Sequence, residues 1–388
     1  MGPTAGRPSV VYWNNIPSPY VVERFNELAA RDRLRFEAWF SARTEPDRSW
    51  EVDEAGWRFR HRYVPAPRLS RRLPAVPTGL LGKHRPDVLV SLYDHPSYLL
   101  AQMVSRAGRT RTALWVEATF DRWVRRRPWR EAVKRWLFPA VDGILVPGPD
   151  AWAFACRYGA RPGSMHTVPQ VIDVEHYRGG RARALAGRDR RRAELNLRGV
   201  TFMYVGRMWS GKGVGYLLHA FGRLQRRLDA PVSLLLVGDG VDEHGLRRLS
   251  ERSGLENVVF AGFRQKAELP AWYALADVFV FPTLGDPYGL VVDEAMACSL
   301  PVVSTTEAGE LALRVEDGAN GYLVPPQDSS ALLSRMEVLA RSPELRARMG
   351  ERSYAKVRNL TPSLWADAFE HAVQRILSAP SRAGRSAR

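Results

Sequence analysis

Two cations and two carboxylates in the second half of the chain are spaced so that they could handle a phosphorylated sugar. Arg207 and Lys212 lie in GRMWSGKG at 206–213, after an apolar β-rich run and before a helical pattern. Gly206 permits a tight turn there. Cations at the carboxyl end of a strand, beside the N–H groups that open the next helix, suit a phosphate group. Asp286 and Glu294 lie in FPTLGDPYGLVVDEAMAC at 281–298. This reads as a strand ending at Phe281, a Gly/Pro turn, and a helix beginning near Gly289. Asp286 would sit on the turn and Glu294 on the helix's second turn, where carboxylates can accept hydrogen bonds from sugar hydroxyls. Plainer readings stay open: a surface turn with two solvated cations, Asp286 as a turn cap, Glu294 as a buried acceptor. The spacing G-x-x-x-x-G-K approaches a P-loop, but Gly213 stands where that motif needs Ser or Thr for magnesium.

The elements that must position these residues alternate. In the second half, apolar runs at 201–205, 232–237, 258–260, 278–281, 302–304 and 322–324 are separated by helical patterns such as GYLLHAFGRLQRRL at 215–228. The first half repeats the theme at 9–13, 35–40, 88–92, 112–116 and 143–147. Strand then helix, repeated, means a parallel sheet covered on both faces. The expected fold is α/β, with two doubly wound Rossmann-like domains facing a central cleft and ligands beyond the carboxyl ends of the strands. The expected division is a first domain over 1–180, a linker over 181–199 within a polar Gly/Arg run, and a second domain over 200–360. A helix over 361–378 would pack back on the first domain, and 379–388 would be a disordered tail.

Composition narrows the class. The chain has 388 residues, 45% hydrophobic, enough to bury a core. No eighteen-residue apolar stretch exists to span a bilayer. MGPTAGRPSV lacks an apolar signal core and reads as a cytosolic N-terminus, and Gly2 lacks the setting of a myristoylation site. Two cysteines, Cys156 and Cys298, cannot make a disulfide framework or a cysteine-rich zinc site. The formal charge is +16, and it is uneven: residues 1–200 hold 35 basic against 20 acidic residues, residues 201–388 hold 22 against 21. The first half is therefore expected to meet something anionic: phosphate groups, acidic lipid or nucleic acid.

Taken in order, VGRMWSGKGVGYLLHAF, LLLVGDG, VVFAGF, ADVFVFPT, DPYGLVVDEAMACSLPVV and DGANGYLVPPQD resemble the donor half of a GT-B fold glycosyltransferase of family 4. The likeness is strong over about 200–345. It is weaker over 8–180, where IPSPYVVERFNEL and VPQVIDVEHY carry it.

The resemblance implies that Arg207 and Lys212 bind the donor diphosphate and neutralise the leaving group. Glu294 is similar to the second glutamate of the family's E-x7-E pair, which binds the ribose diol. Asp286 takes the place of the first, which holds the transferred sugar, and is one methylene shorter. Backbone amides of Tyr288, Gly289 and Leu290 would face sugar and phosphate; Gly238, Phe263 and Arg264 would border the base. It also implies retention of anomeric configuration, with the acceptor hydroxyl attacking on the donor-phosphate side. The donor would be a UDP- or GDP-hexose, a substrate rather than a cofactor. No D-x-D triplet occurs, so no metal is expected.

The first domain departs from the family pattern. WNNIPSPY stands where relatives often carry a glycine pair; Ser18 can N-cap and Pro19 suits the first helical position. Glu117 replaces the histidine that many relatives place near the reacting sugar. His95, in YDHPSY, is another acceptor-side candidate, although such residues are often structural hydrogen bonders. The stretch RWVRRRPWREAVKRWL at 122–137 interleaves Trp123, Trp129 and Trp136 with Arg122, Arg125, Arg126, Arg127, Arg130, Lys134 and Arg135. Pro128 could start a helix there with Trp129, Val133, Trp136 and Leu137 on one face. It reads as an amphipathic helix docked on its sheet, or as an element gripping anionic lipid headgroups or a phosphate-bearing acceptor; nucleic acid is the lesser reading.

The leading reading is a retaining, metal-independent hexosyltransferase. It would be cytoplasmic, with peripheral contact at the inner membrane face, acting on a saccharide, lipid-linked saccharide or small metabolite. Two alternatives stay open: a nucleotide-sugar epimerase or hydrolase on the same fold, and a basic membrane-surface or nucleic-acid binding protein with a vestigial site.

Overall fold

Every apolar run marked above is a strand in the computed structural model, which describes residues 6–45, 48–64, 84–107, 110–117 and 128–380. The first sheet is built from β1 (Ser9–Asn14), β2 (Arg35–Phe40), β3 (Arg60–Tyr63), β4 (Val88–Ser91), β5 (Arg111–Trp115), β6 (Gly143–Val146) and β7 (Met165–Thr167). The second is built from β8 (Val200–Val205), β9 (Val232–Val237), β10 (Val258–Gly262), β11 (Val278–Phe281), β12 (Val302–Thr305) and β13 (Gly321–Val324). The helices used below are, in chain order, α1 (Pro19–Arg31), α2 (Pro96–Ala107), α3 (Pro128–Leu137), α4 (Pro149–Arg157), α5 (Val174–Ala184), α6 (Arg188–Glu194), α7 (Val214–Gln225), α8 (Glu243–Arg252), α9 (Leu269–Tyr273), α10 (Leu290–Ala297), α11 (Ser329–Arg341), α12 (Pro343–Val357) and α13 (Pro362–Ser378).

The strand orders are β3-β2-β1-β4-β5-β6-β7 and β10-β9-β8-β11-β12-β13, parallel throughout. Each order reverses direction once, between β1 and β4 and between β8 and β11. A crevice opens at such a point because the flanking connections leave to opposite faces. The loops after β1 and β4 carry Ser18 and His95; those after β8 and β11 carry Arg207, Lys212 and Asp286.

Two strands carry no apolar run and escape a pattern search. In β3, RHRY, no residue is fully buried, as expected at a sheet edge; β7 is only three residues long. The Gly/Arg run expected as a linker is helical instead. It forms most of α5, a short 3-10 turn at Leu185–Gly187, and α6. Asp173 caps α5 through the His176 N–H at 2.9 Å, and Val174 and Tyr177 anchor the helix in the core of the second sheet. Helix α13 packs against α1 and the first sheet, with Trp365 and Phe369 against Phe25 and Tyr12. The expected tail falls mostly outside the described residues. Among the described residues no helix is long and apolar enough to cross a membrane.

Candidate active site

The turn after β8 is made by glycines pressed against neighbouring backbone. Gly238 has φ 130°, and a Cβ there would lie 2.0 Å from the Gly206 carbonyl oxygen. Gly213 has φ 69°, and its Cβ would meet the Pro282 carbonyl oxygen at 2.0 Å. That contact explains why no Ser or Thr completes a P-loop: the position has room only for hydrogen. Lys212, just before it, reaches across the switch point and pairs with Asp286, with its ammonium also over the Phe281 ring. Asp286 Oδ1 accepts from the Tyr288 N–H at 2.9 Å, so this carboxylate both caps the turn and holds Lys212. Arg207 stands on the same turn, its carbonyl accepting from the Tyr204 hydroxyl at 2.8 Å.

Gly289, at φ 78°, starts α10 directly after that turn. A buried ion pair between Arg314 and Asp293 fixes this start, with Arg314 also donating to the Tyr288 carbonyl and lying over its ring. The amides of Tyr288–Leu290 are thus presented at the end of β11 by a rigid support.

Glu294 is fully buried. Tyr20 from α1 and Tyr273 from α9 both donate to its carboxylate, the second at 2.8 Å. Burial pushes the Glu294 carboxyl above its usual range, against the two hydroxyl bonds and the nearby Lys266 ammonium. The same burial pushes Lys266 down, and Lys266 pairs with Glu23 of α1. Each Glu294 carboxylate oxygen thus already accepts one hydroxyl, Oε1 from Tyr20 and Oε2 from Tyr273.

On the first sheet's side, Glu117 Oε1 accepts from Trp115 Nε1 and from Gln170 Nε2, both at 2.5 Å. Arg24 donates to Gln170 Oε1, and the Tyr288 hydroxyl donates to the Gln170 carbonyl at 3.3 Å. Glu117 is thus tied through Gln170 to the segment that holds the α10 start. His95 Nδ1 accepts from the Ser97 N–H at 3.2 Å, capping α2, while its buried Nε2 has no partner among the described residues. Ser18 occupies the N-cap of α1, with ψ 151° and Pro19 following, but its side chain makes no capping bond. The expected cap is a backbone feature only.

The Arg264 guanidinium lies over the Trp272 ring, 4.5 Å from the centroid, and donates to the Ala261 carbonyl at 2.6 Å. The tryptophans of α3 do not dock: Trp129 and Trp136 are each 51% exposed, and Leu137 alone on that helix is buried. Arg130 lies over Trp129, and Lys134 pairs with Glu131 over Phe154 and Tyr158; Arg135 is exposed. Arg122, Trp123, Arg125, Arg126 and Arg127 lie outside the described residues.

Sequence reasoning missed Tyr20, Gln170, Tyr273 and Glu310. Glu310, at φ 58° and 2% exposed, accepts from the Ala151 N–H at 2.9 Å, and its own N–H donates to Asp150 at 2.9 Å. It caps α4 of the first sheet from the second. Only the phenol and amide types of these residues are visible in sequence; their partners are 21 to 274 positions away.

Residues 199–342 match the family model "Glycosyl transferases group 1". Over 230 residues the chain is 31% identical to the D-inositol 3-phosphate glycosyltransferase 2 of Catenulispora acidiphila, covering 56% of this chain and 53% of that protein. Over 172 residues it is 34% identical to the alpha-D-kanosaminyltransferase of Streptomyces kanamyceticus, covering 43% and 44%. The chain thus spans about half the length of the curated relatives it matches. The fold is similar to Anabaena HepE in complex with UDP (TM-score 0.76, 16% identity, 94% of this chain and 99% of that one). It is also similar to the sucrose-phosphate synthase of Thermosynechococcus elongatus (TM-score 0.75, 21% identity, 96% and 100%). The chain has the two-sheet GT-B fold of these proteins, and the segment matching the group 1 glycosyl transferases is the one that holds Arg207, Lys212, Asp286 and Glu294.

Proposed function

We propose that the protein is a retaining glycosyltransferase that moves a hexose from a nucleotide-diphosphate sugar to an acceptor hydroxyl without a metal. The observation that carries this reading is the meeting of Lys212 with Asp286 at the switch point of the second sheet, beside Arg207 and the start of α10. The diphosphate takes Lys212 from Asp286, and Asp286 is then free to accept from a hydroxyl of the transferred sugar. Arg207, Lys212 and the α10 amides stabilise the charge that grows on the departing phosphate, and they are in place before the reaction starts. Glu294 accepts from the ribose once Tyr20 has moved. Glu117, held by Trp115 and Gln170, lies on the acceptor side with His95. The acceptor hydroxyl attacks on the face of the departing phosphate, whose oxygen takes its proton.

UDP in the HepE complexes supports a uridine donor; the D-inositol 3-phosphate in one curated relative's name and the kanosaminyl group in another's support a hydroxylated small-molecule or saccharide acceptor. The exposed Trp129 and Trp136 on the basic α3 support contact with an anionic membrane face or a phosphate-bearing acceptor.

The test is a thermal-shift panel of UDP, GDP, ADP, CDP and their sugars with EDTA present, followed by product analysis. A ligand at a hundred times its Kd stabilises by about 2.7 kcal/mol, a shift of a few degrees. Stabilisation by one nucleotide, lost in Lys212→Ala, is expected. Sugar release equal with and without every acceptor would favour a hydrolase, and no nucleotide response in a folded protein would overturn the reading.

A further inference from the structure

The Arg-rich connection between the two sheets is not used by the proposed chemistry, yet it builds a cavity. A recess of about 590 Å3, open to solvent, lies between α5, α6 and α9, within the range of about 300–1,000 Å3 usual for small-molecule sites. Its walls carry five guanidinium groups, Arg183, Arg188, Arg190, Arg191 and Arg264, against one carboxylate, Glu194. None of Arg207, Lys212, Asp286 and Glu294 lines it.

The floor is Trp272, 3% exposed, with Arg191 and Arg264 each over its ring at 4.6 and 4.5 Å. Stacking on an indole holds a guanidinium's donors in a fixed plane. The few local acceptors are already engaged. Glu194 lies 3.7 Å from Arg190, and Asp277, the partner of Arg188, also accepts from Arg192 and the Thr201 N–H. Among the described residues, three buried donors on cavity-lining residues are left with no acceptor: Trp272 Nε1, Arg264 Nε and Arg188 Nε. An indole N–H and a guanidinium can only donate. A buried donor without an acceptor is destabilising, so a group that brings only acceptors is favoured at this wall.

We propose that this cavity is a second anion site, separate from the donor site, which takes a phosphorylated ligand bearing at least two phosphates. A diphosphate or triphosphate offers acceptor oxygens spread widely enough to meet guanidinium forks from α5, α6 and the loop after β10 at once. Bound there, it ties the connecting helices to α9. The site shares Arg264 with the residues expected to border the donor base but uses neither Arg207 nor Lys212, so the two sites are told apart by those two cations.

Tripolyphosphate titrated calorimetrically into the full chain near physiological salt is the probe. Three variants accompany it: Arg207→Ala/Lys212→Ala, Arg183→Gln/Arg191→Gln, and Trp272→Phe, which keeps the ring and removes the lone N–H. Vesicles with and without phosphatidylglycerol provide the lipid arm. Binding that survives in Arg207→Ala/Lys212→Ala and weakens about tenfold or more in Arg183→Gln/Arg191→Gln is expected, with a several-fold loss in Trp272→Phe. Loss of vesicle co-sedimentation alone in the cavity variants would overturn the requirement for two phosphates, because a phosphatidylglycerol headgroup carries one. Wild-type binding of both probes by the cavity variants, or disappearance of all binding in Arg207→Ala/Lys212→Ala, overturns the proposal. So does a wild-type chain that binds neither probe.

Discussion

The Tyr20 hydroxyl donates to the carboxylate of Glu294, joining α1 of the first sheet to α10 of the second across 274 positions. The contact puts a phenol where the proposed reading needs a ribose diol. Both are hydroxyls donating to the same carboxyl group, so the two compete at comparable strength.

Tyr20→Phe should therefore bind the stabilising nucleotide severalfold more tightly than the wild type while melting a few degrees lower. Titration calorimetry and a melting curve measure both. Unchanged affinity with lowered stability would mean that the ribose does not use Glu294.

Burial raises the Glu294 carboxyl above its usual range. The folded chain then holds this proton at pH values where the unfolded chain has lost it. Stability from the group is full below the unfolded pKa and falls as pH rises through the folded one. Glu294→Gln lacks that loss. Its melting temperature relative to wild type should climb as pH rises above the usual carboxylate range, while transfer is lost. A pH-independent difference would remove the buried-carboxylate account.

Glu310 and Gly148 form one device across the sheets. A Cβ at 148 would lie 2.3 Å from the Glu310 carboxylate that caps α4. Glu310→Ala should cost about 0.5–2 kcal/mol, the usual value of a helix cap. Gly148→Ala should cost a similar amount, and the double variant less than the sum, because both remove the same bond. Additive denaturation energies would show that the residues act separately.

Gly213→Ser completes a nominal P-loop sequence but sets a Cβ against the Pro282 carbonyl in left-handed backbone. The variant should lose about 1–3 kcal/mol of stability and gain no magnesium-dependent nucleotide binding. A gain measured with and without EDTA would reverse the assignment of that turn.

The sequence by itself determined the two-sheet architecture, since eleven apolar runs separated by helical patterns leave little choice but parallel sheets with covered faces. It also placed Arg207, Lys212 and Asp286 at strand ends, because Gly and Pro punctuate those turns locally. It could not show β3 or β7, whose residues are too polar or too few to make a pattern. It did not show that the connection over 178–192 is helical, because a Gly/Arg composition hides two helices, the first held by an Asp cap and a buried Tyr177.

Only the tertiary structure decided which partners these residues have. Lys212 finds Asp286, Glu294 finds Tyr20, Glu310 finds the start of α4, and Arg191 and Arg264 enclose Trp272. None of these pairs lies within a turn or a helix repeat. Local propensity and periodicity act over a few residues, whereas these contacts depend on how two sheets and their connection pack, which is set by the whole buried surface at once.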